Sequence, residues 1–193
     1  HGCLVGSEMC IRDSFYFARL KQGNLLRSMN NFVGAQIVYE NLINGFPAHE
    51  MRHIAELSRA DCMLALAGND PDGLADAVVI LERLLDLPNL PLDFQAEAAQ
   101  KWAFALIKSG LSEKAKEVLW LSADRFIGDG EKVAALGAAG RYWLARSMLQ
   151  LGEIFEKQEN LVEARKVYRQ VIAYNLPGRH IAISRVDQIL EVE

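Results

Sequence analysis

Cysteine is scarce in this chain: three in 193 residues, two of them among the first ten. Three thiols cannot build a disulfide framework, and no two of them have the paired spacing of a metal or redox site. Basic residues are not in excess either. Lys and Arg number 21 against 25 Asp and Glu, which gives a net charge of −4 and a pI near 5.6. A nucleic-acid binder draws its affinity from cations that neutralise phosphates, so nucleic acid is not an expected partner. No uninterrupted apolar run approaches the ~20 residues that span a bilayer. Phosphate-binding glycine loops, dinucleotide fingerprints and nucleophile elbows are all missing. What remains is an ordinary globular composition, 51% hydrophobic and 24% charged, long enough to bury one sizeable core or a stack of repeats.

Proline is sparse and informative. All five prolines (Pro47, Pro71, Pro88, Pro91 and Pro177) fall between segments with helical spacing of apolar residues. The clearest such segment runs from Tyr142 to Pro177: a long helix, a tight polar break, a second helix and a proline stop. Leu151 and Gly152 are followed by Phe155, Ala164, Tyr168, Val171 and the Leu176-Pro177 pair. Small and large apolar residues at these offsets resemble the tetratricopeptide repeat, in which two antiparallel helices meet through a small-residue contact.

Three weaker copies precede it. Near 16–49, Tyr16, Gly23, Leu26, Ala35, Tyr39, Leu42 and Pro47 match the same pattern. The first helix is expected over Phe15–Met29, with Asn30-Asn31 capping the next one as far as Asn44. Near 58–90, Ala65, Ala77, Leu81 and Leu84 fill the equivalent places, and Gly68-Asn69-Asp70-Pro71 reads as a capped helix start. Near 96–127, Ala103, Leu106, Gly110, Ala115 and Leu119 align, with Trp102 in a large-residue slot. In the last copy, 131–177, the first helix is expected to begin near Glu131 and to carry Gly137 and Gly140 inside it. Each would cost about 1 kcal/mol relative to Ala, which points to close approach by a neighbouring helix. Asn160 with Glu163 reads as a capping box. The small-residue alanines fall at 35, 77, 115 and 164, intervals wider than the ~34-residue period of a regular array. Residues 179–192 place Ile181, Ile183, Val186, Ile189 and Leu190 along a helical stripe and read as a capping helix. The resemblance implies an all-α fold: an α-α superhelix, or solenoid, of about four helical hairpins over 15–193 plus that cap.

Residues 1–14 stand apart. Cys-Leu-Val-Gly-Ser-Glu-Met-Cys-Ile-Arg-Asp-Ser resembles translated sequencing-adapter read-through. It lacks the basic start, apolar core and cleavage site of a signal peptide. It reads as a non-native or disordered tail. Any targeting signal would then lie upstream, and localisation, cytoplasmic or periplasmic, is left open.

One motif carries possible chemistry. His49-Glu50-Met51-Arg52-His53 matches H-E-x-x-H, which on a helix sets two imidazoles one turn apart to hold zinc, with Glu as general base. Arg52 would put a cation beside the metal, and Glu56 and Glu82 are third ligands by residue type only. The expected reading is a solvated helix start, with His49 and His53 as the metal alternative. No cofactor is expected. Cys62, with Met63, Leu64 and Leu66 around it, reads as a buried structural thiol.

The resemblance also implies a surface. Its groove positions carry over to Phe17, Leu20, Asn24 and Arg27 in the first copy, and to Arg59, Cys62, Leu66 and Asn69 in the second. The third gives Glu97, Gln100, Phe104 and Ile107, and the fourth Arg146, Leu149, Glu153 and Glu156. Mixed apolar and charged character suits an extended or helical peptide. Leu20 and Met63 stand where the chaperone-binding subclass has clamp residues for a C-terminal carboxylate, so that mode is not expected. The function expected from the sequence is a non-catalytic scaffold for a protein or peptide partner, as a fragment of a larger bacterial protein. Tyr142-Trp143-Leu144-Ala145 resembles bacterial envelope repeat proteins of outer-membrane assembly. The alternatives are a zinc hydrolase at 49–53 and a structural module that self-associates through its terminal repeats.

Overall fold

The computed structural model describes residues 3–68 and 70–192. Among them are ten α-helices and no strand. They run α1 (Cys3–Ser28), α2 (Phe32–Gly45), α3 (Arg52–Ala67), α4 (Pro71–Leu85), α5 (Leu92–Lys108), α6 (Ser112–Ile127), α7 (Gly130–Ala135), α8 (Ala138–Lys157), α9 (Leu161–Ala173) and α10 (Arg179–Val192). The chain forms two compact units, His1–Ile80 and Leu81–Glu193, the division falling within α4.

Three of the helical hairpins, α1–α2, α5–α6 and α8–α9, reuse one turn. Asn30, Gly110 and Glu159 have φ of 59°, 77° and 59°, each just past the end of a first helix. In each case the next N–H reaches back to the helix: Asn31 to the Leu26 carbonyl (2.9 Å), Leu111 to Leu106 (2.8 Å) and Asn160 to Phe155 (2.9 Å). This is the left-handed stop that satisfies a helix's last carbonyls. Asn31 then caps α2, its Oδ1 accepting from Gly34 N–H at 3.0 Å, and Asp70 Oδ2 accepts from Gly73 N–H at 3.3 Å in α4. Asn160 Oδ1 accepts from Glu163 N–H at 3.3 Å in α9. Only half of the expected capping box forms there, because Asn160 N–H serves the turn and the Glu163 carboxylate pairs with Lys166 at 2.6 Å.

In the first unit α2 packs between α1 and α3 around Tyr16, Leu20, Ala35, Tyr39, Leu42, Ala55 and Cys62. The Tyr16 hydroxyl donates to the Met51 carbonyl at 3.0 Å, and burial beside Glu56 pushes its pKa up to about 12. α1 is continuous from Cys3 rather than starting at Phe15. No proline interrupts the stretch, and Asp13 lies 3.6 Å from His49 in the α2–α3 turn.

In the second unit α5 packs on α6 and α8, α8 on α9, and α9 on α10. Leu119, Leu144, Met148, Leu151, Ala164, Tyr168 and Val171 are almost wholly buried between them. Each large apolar side chain so buried contributes about 1.5–3 kcal/mol. The α10 segment coincides with the expected capping helix. The expected single helix from Glu131 is in fact two. α7 ends at Ala135 with Leu136 as its C-cap, whose ψ of 132° is extended, and Gly137 is the N-cap of α8 rather than an interior residue. The cause lies on α5: Asp93 Oδ1 accepts from Gly137 N–H at 2.9 Å. A Cβ at Gly140 would stand 2.2 Å from that same oxygen. The close neighbour predicted from the two glycines is this carboxylate.

Candidate functional site

On α8, Arg146, Leu149, Gln150 and Glu153 recur at helical intervals and share one face. Tyr142 extends that face toward the helix start. Pro177, Gly178 and Ile181, at the entry to α10, close it from the other side. The space so enclosed is a groove of about 390 Å³ lined by these residues and Ala145. Gly178 makes the close approach possible: its φ is +80°, and a Cβ there would lie 2.9 Å from Leu149 Cδ1.

The groove is charged at both ends and apolar between. Arg146 and Glu153 are exposed and stand about 10 Å apart along the helix, at 1.5 Å per residue. Leu149 is half-buried between them. Arg146 Nη1 donates to the Tyr142 hydroxyl at 3.2 Å, and its guanidinium lies 5.9 Å from the Trp143 ring centroid. Such contacts hold a guanidinium in place without consuming its charge. Beside α8, Gln100 of α5 donates to Gln150 at 3.3 Å. Lys101 pairs with Glu97 and lies 5.0 Å from the Trp143 ring centroid. α5 therefore braces the back of the groove.

The residues expected from the sequence divide clearly. Arg146, Leu149 and Glu153 come together in the groove. Gln100 is 2% exposed and acts as a brace, and Glu97 is engaged with Lys101. Glu156 is drawn away: its carboxylate accepts from the Tyr168 hydroxyl at 2.6 Å and from Arg185 Nη1 at 3.3 Å, tying α8 to α9 and α10. Burial first, and that carboxylate second, hold the Tyr168 phenol well above its ordinary pKa. Phe104 and Ile107 are half-buried, the first beneath Lys108.

In the first unit Phe17 is exposed and Leu20 belongs to the core. Asn24 accepts from the Tyr39 hydroxyl at 2.7 Å. Arg27 pairs with Asp61 at 2.6 Å and Arg59 with Glu40 at 3.4 Å, both across packed helices. Cys62 is buried, Leu66 is exposed, and Asn69 lies outside the described residues. The sequence reading missed Gln150, Tyr142 and the α10 entry as groove walls. Gln150 was within reach, since it lies four residues after Arg146 and therefore on the same face.

The H-E-x-x-H motif does not form a metal-binding helix face. α3 starts at Arg52, so His49 and Glu50 lie in the preceding turn. The His49 ring stacks on Tyr16, centroids 3.6 Å apart and planes 9° from parallel, and its Nδ1 accepts from Met51 N–H at 3.2 Å. His53 Nδ1 is 3.1 Å from the Glu50 carbonyl oxygen. Arg52 bonds to Glu56 at 2.8 Å and to the Pro47 carbonyl at 3.0 Å. The motif's polar groups close the α2–α3 connection. Among the described residues no three His, Cys, Asp or Glu side chains gather as a metal cluster, and no helix is long and apolar enough to cross a membrane.

Residues 146–175, the groove helix from Arg146 onward together with α9, match the family model described as Tetratricopeptide repeat. Comparison with curated proteins finds no match.

Proposed function

For this tetratricopeptide-like repeat protein we propose a non-catalytic role: binding a peptide segment of a partner protein in the groove between α8 and the entry to α10. The observation that carries the reading is the sequence of chemistry along one wall, cation, apolar floor and anion at Arg146, Leu149 and Glu153. A helical or extended segment meets such a wall with an acidic residue, an apolar residue and a basic residue at matching intervals. The apolar contact supplies desolvation, and the two charges at the rim set direction and reject the reversed peptide. The groove costs little to organise. Leu149 is held by the Gly178 turn, Arg146 by Tyr142 and Trp143, and Gln150 by Gln100. Repeat proteins of this architecture serve in general as interaction scaffolds, which agrees with this reading.

The test is selection of a random-peptide display library on the immobilised protein, repeated with the double variant Arg146→Glu, Glu153→Arg. Both side chains are exposed, so the melting temperature should stay unchanged. Wild type should enrich peptides with an acidic and a basic residue flanking an apolar one, and the variant should enrich the reversed charge order. Indifference of the selected peptides to the swap would sink the proposal, as would a fall in stability as large as the loss of binding.

A further inference from the structure

The outward side of α6 carries a large aromatic ring between two carboxylates. Glu117, Trp120 and Asp124 recur three and four residues apart, so they stand in line along the helix, and all three are exposed. Trp120 is 45% exposed. Its ring meets Phe155 of α8 edge to face, centroids 6.3 Å apart and planes at 85°, which fixes its tilt.

A hollow lies on each side of that ring, and Trp120 lines both. One, of about 190 Å³ between α6 and α9, has Ala123, Ile127, Leu151 and Val167 as its other apolar walls. The second, of about 430 Å³, is lined by Leu121 and Phe155 together with Lys116, Glu117 and Glu163. Neither hollow shares a residue with the α8 groove.

The charge here is uneven once each cation is traced to its partner. Two lysines line the hollows, and both are held: Lys116 by Glu113 and Lys166 by Glu163, each at 2.6 Å. Lys114, three residues before Glu117, turns to the other flank of α6, where it lies 5.8 Å from the Trp102 ring centroid. Arg125, next to Asp124, donates to Gln95 on that same flank at 3.2 Å. Arg165 and Arg169 of α9 line neither hollow. Glu117 and Asp124 form no ion pair or side-chain hydrogen bond with any described residue. Two uncompensated carboxylates therefore flank the ring.

We propose that this side of α6 binds a basic segment of a partner protein, with an apolar side chain beside Trp120 and a cation on each side of it. The two cations stand about 10 Å apart, the separation of Glu117 and Asp124 at 1.5 Å per residue. A guanidinium or ammonium that reaches either carboxylate also meets the indole, whose face attracts cations. The apolar side chain enters the hollow floored by Leu151 and Val167. The same two carboxylates repel nucleic acid and anionic lipid, whose charge they share. The α8 groove takes one acidic and one basic residue around an apolar one, whereas this site takes two basic ones. It stands whether or not the α8 groove is occupied.

The probes are two labelled helical peptides on an alanine and glutamine background, with Arg-Leu-Arg or Glu-Leu-Glu on successive turns of one face. Each is titrated against the full chain by fluorescence anisotropy. The arginine peptide should bind at least about tenfold more tightly than the glutamate one, and less tightly as salt is raised. Trp120→Ala should weaken it about tenfold. Glu117→Lys with Asp124→Lys should invert the preference, while Arg146→Glu with Glu153→Arg should leave it unchanged. These side chains are exposed, so circular dichroism should show the same helix content in every variant. In nitrogen–proton spectra the arginine peptide should shift the Trp120 indole N–H, identified by its loss in Trp120→Phe. An arginine peptide that does not bind, or binds no better than the glutamate peptide, overturns the proposal. So does binding that survives the charge reversal at Glu117 and Asp124, or that the α8 variant abolishes. A wild type that self-associates in sedimentation, and becomes monomeric in Trp120→Ala, overturns it too, because a second copy then occupies the face.

Discussion

A methyl group at Gly152 would lie 2.4 Å from Tyr168 Cε1, and one at Gly23 2.5 Å from Tyr39 Cε1. Neither ring can retreat easily. Both tyrosines are fully buried, and their hydroxyls are held by Glu156 and Asn24 respectively. The helices of the first and last hairpins therefore meet where one of them carries no side chain. Gly152→Ala and Gly23→Ala should each destabilise the protein by about 1–3 kcal/mol, the usual cost of overpacking. The sign opposes intrinsic propensity, since Ala favours a helix over Gly by about 1 kcal/mol. Gly45→Ala is the internal control: it sits at the end of α2 with nothing within 4 Å of an added Cβ, and should lose nothing. Urea denaturation with a common slope measures all three. Equal stabilities for Gly152→Ala and Gly45→Ala would mean the ring contact does not govern the hairpin.

At the scale of the element, the break between α7 and α8 is made from outside both helices. Asp93, in the first turn of α5, accepts the Gly137 N–H and places a negative charge at the start of α8, where the helix dipole favours it. Arg141, one turn further on, donates to the Tyr174 and Asn175 carbonyls at 2.8 and 3.1 Å and so caps the end of α9. Asp93→Ala should cost about 0.5–2 kcal/mol, the range for a lost N-cap, and should speed amide exchange in the first turn of α8 more than in α9. Arg141→Ala should reverse that order. Unchanged exchange at the start of α8 in Asp93→Ala would show that the glycine alone sets the break. This element also marks the limit of what the sequence discloses. The hairpin turns, the caps at Asn31 and Asn160 and the proline stops are local chemistry, readable within a few residues. Gly137 is ambiguous locally, because no Pro, Asn or Asp beside it signals an N-cap, and its partner lies on another helix. Glu156 fails for the same reason. The repeat register gives it a groove position, and Tyr168 and Arg185, from the two following helices, take it instead. Arg146, Leu149 and Glu153 were legible because a helical face is a property of spacing alone.

At the scale of the molecule, the two main apolar clusters share no residue: one spans Tyr16 to Cys62 and the other Ala96 to Ile189. Stability in stacked repeats accumulates from each unit and its immediate neighbours, so a core defect should be felt locally before it is felt everywhere. Leu151 is fully buried within the second cluster. Leu151→Ala should remove about 2–5 kcal/mol there, through lost transfer energy and a residual cavity. Hydrogen exchange followed by mass spectrometry should then show faster exchange in α8 and α9, with α2 and α3 keeping their wild-type protection. Ala55→Gly, in the first cluster, should give the opposite map. An equal loss of protection in α2, α3, α8 and α9 from either variant would mean that the whole chain opens in one step. A partner held in the α8 groove would in that case stabilise both units equally rather than its own hairpins first.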